Sequence, residues 1–261
     1  MIYHTTSDEM KNLFVGTAGW SYKDWVPNFY PKAQSASFDW LEYYSEYLET
    51  VELNVSFYRL PSKEVFQGWY KRTPKGFLFG VKGSRFITHV KRLKDCREPL
   101  SLLLDHASPL KGKMGVLLWQ LPPRFRFQKD RLEEFCVLLS TLPRSKRLRH
   151  AFEFRDESWL CQDAFRILEE FNFAFCIAHG SGLPYVEAVT SDFVYLRLHG
   201  GEVLYGSNYS DKELKAWAEK VKGWEKKGKA VFVYLNNDAY GFAVKNGLAL
   251  RKLLSPSLRS V

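Results

Sequence analysis

Eight times along this chain a short run of aliphatic, β-branched and aromatic residues gives way to a stretch with helical spacing. That alternation limits the folds open to it. The runs are "LFVGTAGW" (13–20), "TVELNVSF" (50–57), "GFLFGVKG" (76–83), "KMGVLLWQLPP" (113–123), "HAFEFRDESW" (150–159), "FAFCIAHG" (173–180), "DFVYLRLHGG" (192–201) and "AVFVYLNND" (230–238). Helical patterns fall at 38–49, 62–72, within 97–108, and at 129–142, 163–172, 211–228 and 241–254. In the first, Phe38, Leu41, Tyr44, Ser45 and Leu48 share one side, and Ser62 stands as an N-cap before the second. The segment "GSGLPYVEAVTS" (180–191) is too short and too interrupted by glycine and proline for a full helix. The pattern reads as α/β, a single (β/α)8 TIM barrel with an irregular connection between strands six and seven. A doubly wound sheet is the main competitor, but no GxGxxG or GxxxxGKS/T opens any of the helices. With no linker and no internal repeat, residues 1–261 are expected to form one domain.

Barrel strands alternate residues between lumen and helices, and sites form where strands end. The stretch "YLNND" (234–238) breaks an apolar strand into two amides and a carboxylate. The same happens elsewhere. With Val51 and Leu53 facing the helices, Glu52 and Asn54 face inward. By the same parity Lys82, Gln120, Glu153 with Arg155, Arg197 with His199, and Asn236 with Asp238 turn into the lumen, and His179 ends strand six. Asn237 lies between the last pair. A ring of ion pairs that merely plugs the mouth is the bland alternative. Apolar packing could replace such a ring at little cost, and burying unpaired charge costs several kcal/mol, so the concentration of charge points to a site.

The chain carries 38 Lys and Arg against 29 Asp and Glu, a formal charge of +9, which favours anionic partners. The cluster at 144–150 precedes strand five and belongs at the opposite end, and the Lys-rich helix 211–228 reads as a solvated flank. Lys23, Arg59, Arg85, Arg124 and Arg126 follow strands and ring the mouth. Aromatic residues gather there too: Trp20, Tyr22 and Trp25 after strand one, Phe57 and Tyr58 after strand two. They suit stacking on sugars or bases, or a lid packed over the barrel. No window reaches the ~20 apolar residues of a membrane span, and the N-terminus lacks the pattern of a secretory leader. Cys96, Cys136, Cys161 and Cys176 have no metal or redox spacing and read as reduced thiols. The expected location is cytoplasmic.

The stretches "VGTAGWSYKDWVPNFYP" (15–31), "LETVELNVSFYRLP" (48–61), "GFLFGVKGSRFITH" (76–89), "LLWQLPPRF" (117–125), "EFRDESW" (153–159), "VYLRLHG" (194–200) and "LNND" (235–238) together resemble the YecE-like family, domain of unknown function 72. They occur in order and span nearly the whole chain. The resemblance implies a TIM barrel similar to sugar isomerases and endonuclease IV, and leaves the reaction open. Ala18 stands where the family usually has Ser, Asp156 where His or Asn is common, and Leu235 where Phe is usual. The first change removes a hydroxyl near strand one.

Two chemistries compete for these residues. Glu52, Glu153, His179, His199 and Asp238 could supply ligands to a zinc or manganese ion, giving a metal-dependent phosphodiesterase. Lys82, Arg155 and Arg197 would crowd three positive charges around it. The alternative is metal-free recognition of an anionic small molecule or nucleic acid. Lys82, Arg155 and Arg197 would bind phosphate or carboxylate oxygens, and Asn54, Gln120, Asn236 and Asn237 would read hydroxyls or base edges. Glu52, Trp20, Tyr22 and Tyr58 complete the expected binding set. Glu153 is the first choice for acid–base work, Asp238 the second, with His199 between them. An isomerase, lyase or hydrolase would all fit, as would a nucleic-acid-binding protein with no reaction. No motif assigns a cofactor.

Overall fold

The computed structural model describes residues 12–32 and 34–255; the stretch 1–11, read above for a leader, lies outside them. Eight parallel strands close into a barrel in sequence order: β1 Leu13–Thr17, β2 Thr50–Leu53, β3 Leu78–Lys82, β4 Met114–Gln120, β5 Arg149–Glu153, β6 Ala174–His179, β7 Phe193–Leu198 and β8 Ala230–Leu235. β8 returns to β1 in a continuous register from Leu13↔Val231 to Thr17↔Leu235. The helices are α1 Trp40–Tyr47, α2 Val55–Tyr58, α3 Lys63–Lys71, α4 Arg97–Ala107, α5 Lys129–Thr141, α6 Gln162–Glu170, α7 Asp211–Lys226 and α8 Phe242–Leu254. Among the described residues no helix joins β6 to β7, as the Gly/Pro-broken segment predicts. No helix among them is long and apolar enough to cross a membrane.

Local chemistry accounts for the helices. α7 opens with a capping box between Ser210 and Glu213, and buries Leu214, Trp217, Ala218 and Val221 at helical spacing. The Asp39 side chain accepts from the amides of Leu41 and Glu42 to start α1. Ser62 occupies the cap position of α3 with extended backbone, but its side chain makes no cap hydrogen bond. The second strand is also shorter than its apolar run. Ser56 donates to the carbonyls of Leu53 and Lys82, and this tie winds Val55–Tyr58 into one helical turn against β3.

The lumen grows more polar from bottom to top. Phe14 stacks on Phe232 with centroids 4.8 Å apart, and Phe193 meets Phe232 edge-on. One layer up, the Tyr234 hydroxyl lies 2.8 Å from Thr50 Oγ1, and Tyr195 donates to Glu52 Oε2 at 2.7 Å. Gly80 makes room for both rings: a Cβ there would sit 2.9 Å from the Tyr234 hydroxyl and 3.0 Å from that of Tyr195. Gly80→Ala should therefore cost about 1–3 kcal/mol in denaturant titration, the usual range for overpacking a filled core. Unchanged stability would mean that the two rings can yield.

Candidate active site

Above the tyrosines lies a buried ion cluster built across the barrel. Arg197, 1% exposed, donates through Nη2 to Glu52 Oε1 at 2.7 Å and through Nη1 to Glu153 Oε2. Arg155 takes the other oxygen of Glu153 through Nε and Nη2. Burial alone would push Glu153 up, but Arg155 and Arg197 hold its carboxyl far below the ordinary range. A carboxylate so firmly ionised is a poor proton carrier at neutral pH. Glu153, expected to lead acid–base work, is instead the counter-ion of two arginines. Arg197 likewise spends both terminal nitrogens on protein carboxylates, so it anchors the floor and does not reach outward.

Asp238 has the opposite environment. Burial raises it from 3.8 to about 7, against the smaller downward pull of a hydrogen bond from the Tyr22 hydroxyl and of Arg197. Tyr22 donates to Oδ2 at 3.3 Å, and Oδ1 is buried without a partner. Beside it, Asn236 Nδ2 lies 2.9 Å from His199 Nδ1. With the amide donating, Nδ1 accepts and the ring proton rests on Nε2, which is 4.0 Å from Glu153 Oε2 and otherwise unpartnered. Burial and Arg197 keep this imidazole neutral, well below its ordinary value.

Lys82 completes the inner set. It is 9% exposed, with Nζ 4.2 Å from the centre of the Phe57 ring. Burial and Arg197 bring it from 10.5 down to about 8. His89 packs edge-on against the same ring at 5.0 Å, and burial together with Lys82 lowers it to about 4.

Arg155 links this interior to the surface. It lines a groove of about 700 Å3 with Arg124, Arg126, Asp156, Glu157 and Ser158. The walls are pinned together: Trp159 Nε1 donates to the Phe125 carbonyl, and the Phe127 amide to Ser158 Oγ at 2.8 Å. Arg124 holds φ +61°, a left-handed backbone that a side chain of this size rarely adopts. Across the mouth, Tyr205 packs its ring 5.4 Å from His199, with its hydroxyl 3.4 Å from Arg155 Nη1.

The other expected residues divide. Asn54 stands at the start of α2 with Oδ1 buried and unpartnered, and Gln120 donates to the Leu121 carbonyl at 2.7 Å with 8% exposure. Tyr58 is 78% exposed. Trp20 packs edge-on against Trp69 of α3, and Trp25 is fully buried among aromatic rings; both belong to packing of the first connection. His179 leaves the lumen and pairs with the Tyr209 hydroxyl at 2.9 Å beside Trp217. Asn237 also turns outward, donating to the Ser207 carbonyl and Asn246 Oδ1, both at 2.9 Å. These two residues brace the connection from β7 to α7. Among the described residues no three His, Cys, Asp or Glu side chains gather as a metal-ligand group. Sequence reasoning missed Tyr195 and Tyr234, which the parity of Arg197 and Asn236 implies, and the exposed aromatics Tyr205 and Tyr240. Both of the latter precede glycine and take positive φ.

Comparison with known proteins agrees with this architecture. Residues 14–261 match the family model described as protein of unknown function DUF72. The chain belongs to that family. It is 27% identical to the UPF0759 protein YunF of Bacillus subtilis (strain 168), over 93% of this chain and 94% of that one. A shorter match, 30% identical over 43% of this chain and 39% of the other, joins it to the UPF0759 protein YecE of Escherichia coli (strain K12). The crystal structure of a DUF72 family protein from Thermotoga maritima MSB8 superposes with a TM-score of 0.82 at 31% identity, covering 94% of this chain and 99% of that one.

Proposed function

We propose that this protein is an enzyme that binds a phosphate-bearing, sugar-like substrate at the C-terminal ends of the strands and acts on it by metal-free acid–base chemistry. The observation that carries the reading is Asp238: an inward carboxyl raised to about 7, with one oxygen held by Tyr22 and the other unpartnered. A group that titrates near the working pH can both give and take a proton. Neutral His199 keeps an unpartnered ring N–H on the Glu153 side of the lumen, and Arg155 with Arg124 and Arg126 offers the anion a cationic berth. Two of the three carboxylates that a metal would draw on, Glu52 and Glu153, are committed to arginine. The four cysteines are free thiols, which suits a reducing cytoplasm.

In a thermal-shift and calorimetric panel, sugar phosphates should bind while the matching unphosphorylated sugars do not. The double substitution Arg124→Glu with Arg126→Glu should weaken binding at least tenfold and flatten its salt dependence. Binding indifferent to phosphate and to salt would sink the reading. A second reading, a nucleic-acid-binding protein, is favoured by the exposed Tyr58, Phe86, Tyr205 and Tyr240 on connections that follow strands. It expects single-stranded oligonucleotides to bind with a steep salt slope and sugar phosphates not to bind.

A further inference from the structure

Lys82 is the inner cation that no carboxylate of the described residues pairs with. Glu153 gives its oxygens to Arg155 and Arg197, and Glu52 gives its own to Arg197 and Tyr195. The Lys82 carbonyl is fixed by Ser56 Oγ at 2.7 Å, and its Nζ lies over the Phe57 ring at the top of β3. The amine is thus buried beside Arg197 and Arg155; burial and these charges disfavour the ammonium form and outweigh the opposite pull of Glu52, Glu153 and the Phe57 ring face. A lysine fixed in this way is a nucleophile in waiting.

We propose that Lys82 forms an imine with the aldehyde or ketone carbonyl of a phosphate-bearing substrate. This rests on the anion-binding reading above and adds the reaction. The nitrogen lone pair attacks the carbonyl carbon, the π pair moves to oxygen, and the proton released from nitrogen goes to that oxygen, giving a carbinolamine. The hydroxyl then takes a proton and leaves as water with the C–O bonding pair, while the nitrogen lone pair forms a new C=N bond. Lys82 keeps 9% exposure, so solvent water can exchange these protons. The resulting iminium withdraws electrons from the neighbouring carbon, so an adjacent C–H or C–C bond can break. The reaction class is isomerisation or aldol-type cleavage. With Lys82 lowered to about 8, roughly a tenth of the amine is free at pH 7.

The test uses the full chain with glycolaldehyde phosphate, and in parallel with glycolaldehyde, each with sodium borohydride at pH 7.5. Adducts are mapped by peptide mass spectrometry. Thermal shift with glycolaldehyde phosphate alone, without borohydride, reports binding separately. The Lys82 peptide should label at least tenfold faster than those of the exposed Lys212 and Lys222, faster with the phosphate ester, and not at all in a folded Lys82→Arg variant. Labelling spread over surface lysines and unchanged in Lys82→Arg would overturn the imine. Thermal stabilisation with no adduct at Lys82 would also overturn it while leaving the anion-binding reading standing. Equal labelling of Lys82 by both reagents would keep the nucleophile and defeat the anion site. Neither stabilisation nor labelling would defeat both.

Discussion

Arg197→Met should destabilise the protein by about 3–5 kcal/mol, the range for breaking a buried ion pair from one side. The arginine joins β2 to β5 through the lumen, and its loss leaves Glu52 with only the Tyr195 hydroxyl and Glu153 with Arg155 and a distant thiol. Two carboxylates with no exposure would then repel across a space with little water to screen them. For a chain of this length the melting temperature should fall by on the order of 10 °C. Adding Glu52→Gln to Arg197→Met should recover part of the loss, because it removes one of the stranded charges, and the double-mutant cycle measures the coupling. A loss below 1 kcal/mol, with no coupling to Glu52, would mean that the cluster contributes little to holding the barrel.

Asp238→Asn should have the reverse sign. The folded carboxyl is raised from 3.8 to about 7, so the stability it contributes is fully present below about 4 and is lost as pH rises through 7. A shift of that size corresponds to roughly 4 kcal/mol at pH 8. Asparagine imitates the protonated acid and has nothing to lose, so the variant should gain on the wild type steadily from pH 4 to 7, with the gap level above that. His89, His150 and His199 are all lowered and act oppositely in part of the same window, so the difference between the two proteins is the quantity to plot. The same substitution should abolish turnover of a bound sugar phosphate. A residue that weakens the fold at working pH and is required for chemistry is the usual mark of a site maintained for function. A flat difference curve would remove Asp238 from that role.

The barrel was legible because eight apolar runs keep strand length and the stretches between them keep helical period. Parity then placed Glu52, Lys82, Glu153, Arg155, Arg197, His199, Asn236 and Asp238 on the inner face, since each alternates with an aliphatic or aromatic neighbour. It failed on β6. Ala174, Cys176 and Ala178 face the lumen while Phe175 and Ile177 face the helices, so both faces are apolar and nothing in the run says which way His179 turns. Asn237 was misassigned by grouping it with its neighbours, although its own parity points outward. The roles of Glu153 and Asp238 could not be ordered from sequence. What sets them is pairing between residues 44 and 145 positions apart, Arg197 with Glu153 and with Glu52. Tyr205 and Tyr240 lie on connections, where hydrophobic period carries no information, and only the glycine after each hints at a special backbone.

The most direct test of the account is to titrate the Asp238 carboxyl itself. Carbon-13 NMR of side-chain carboxylates, assigned by comparison with Asp238→Asn, should show a group titrating near pH 7 that moves when a sugar phosphate is added. An Asp238 that titrates near 4 and ignores every phosphate-bearing ligand would contradict the proposed site.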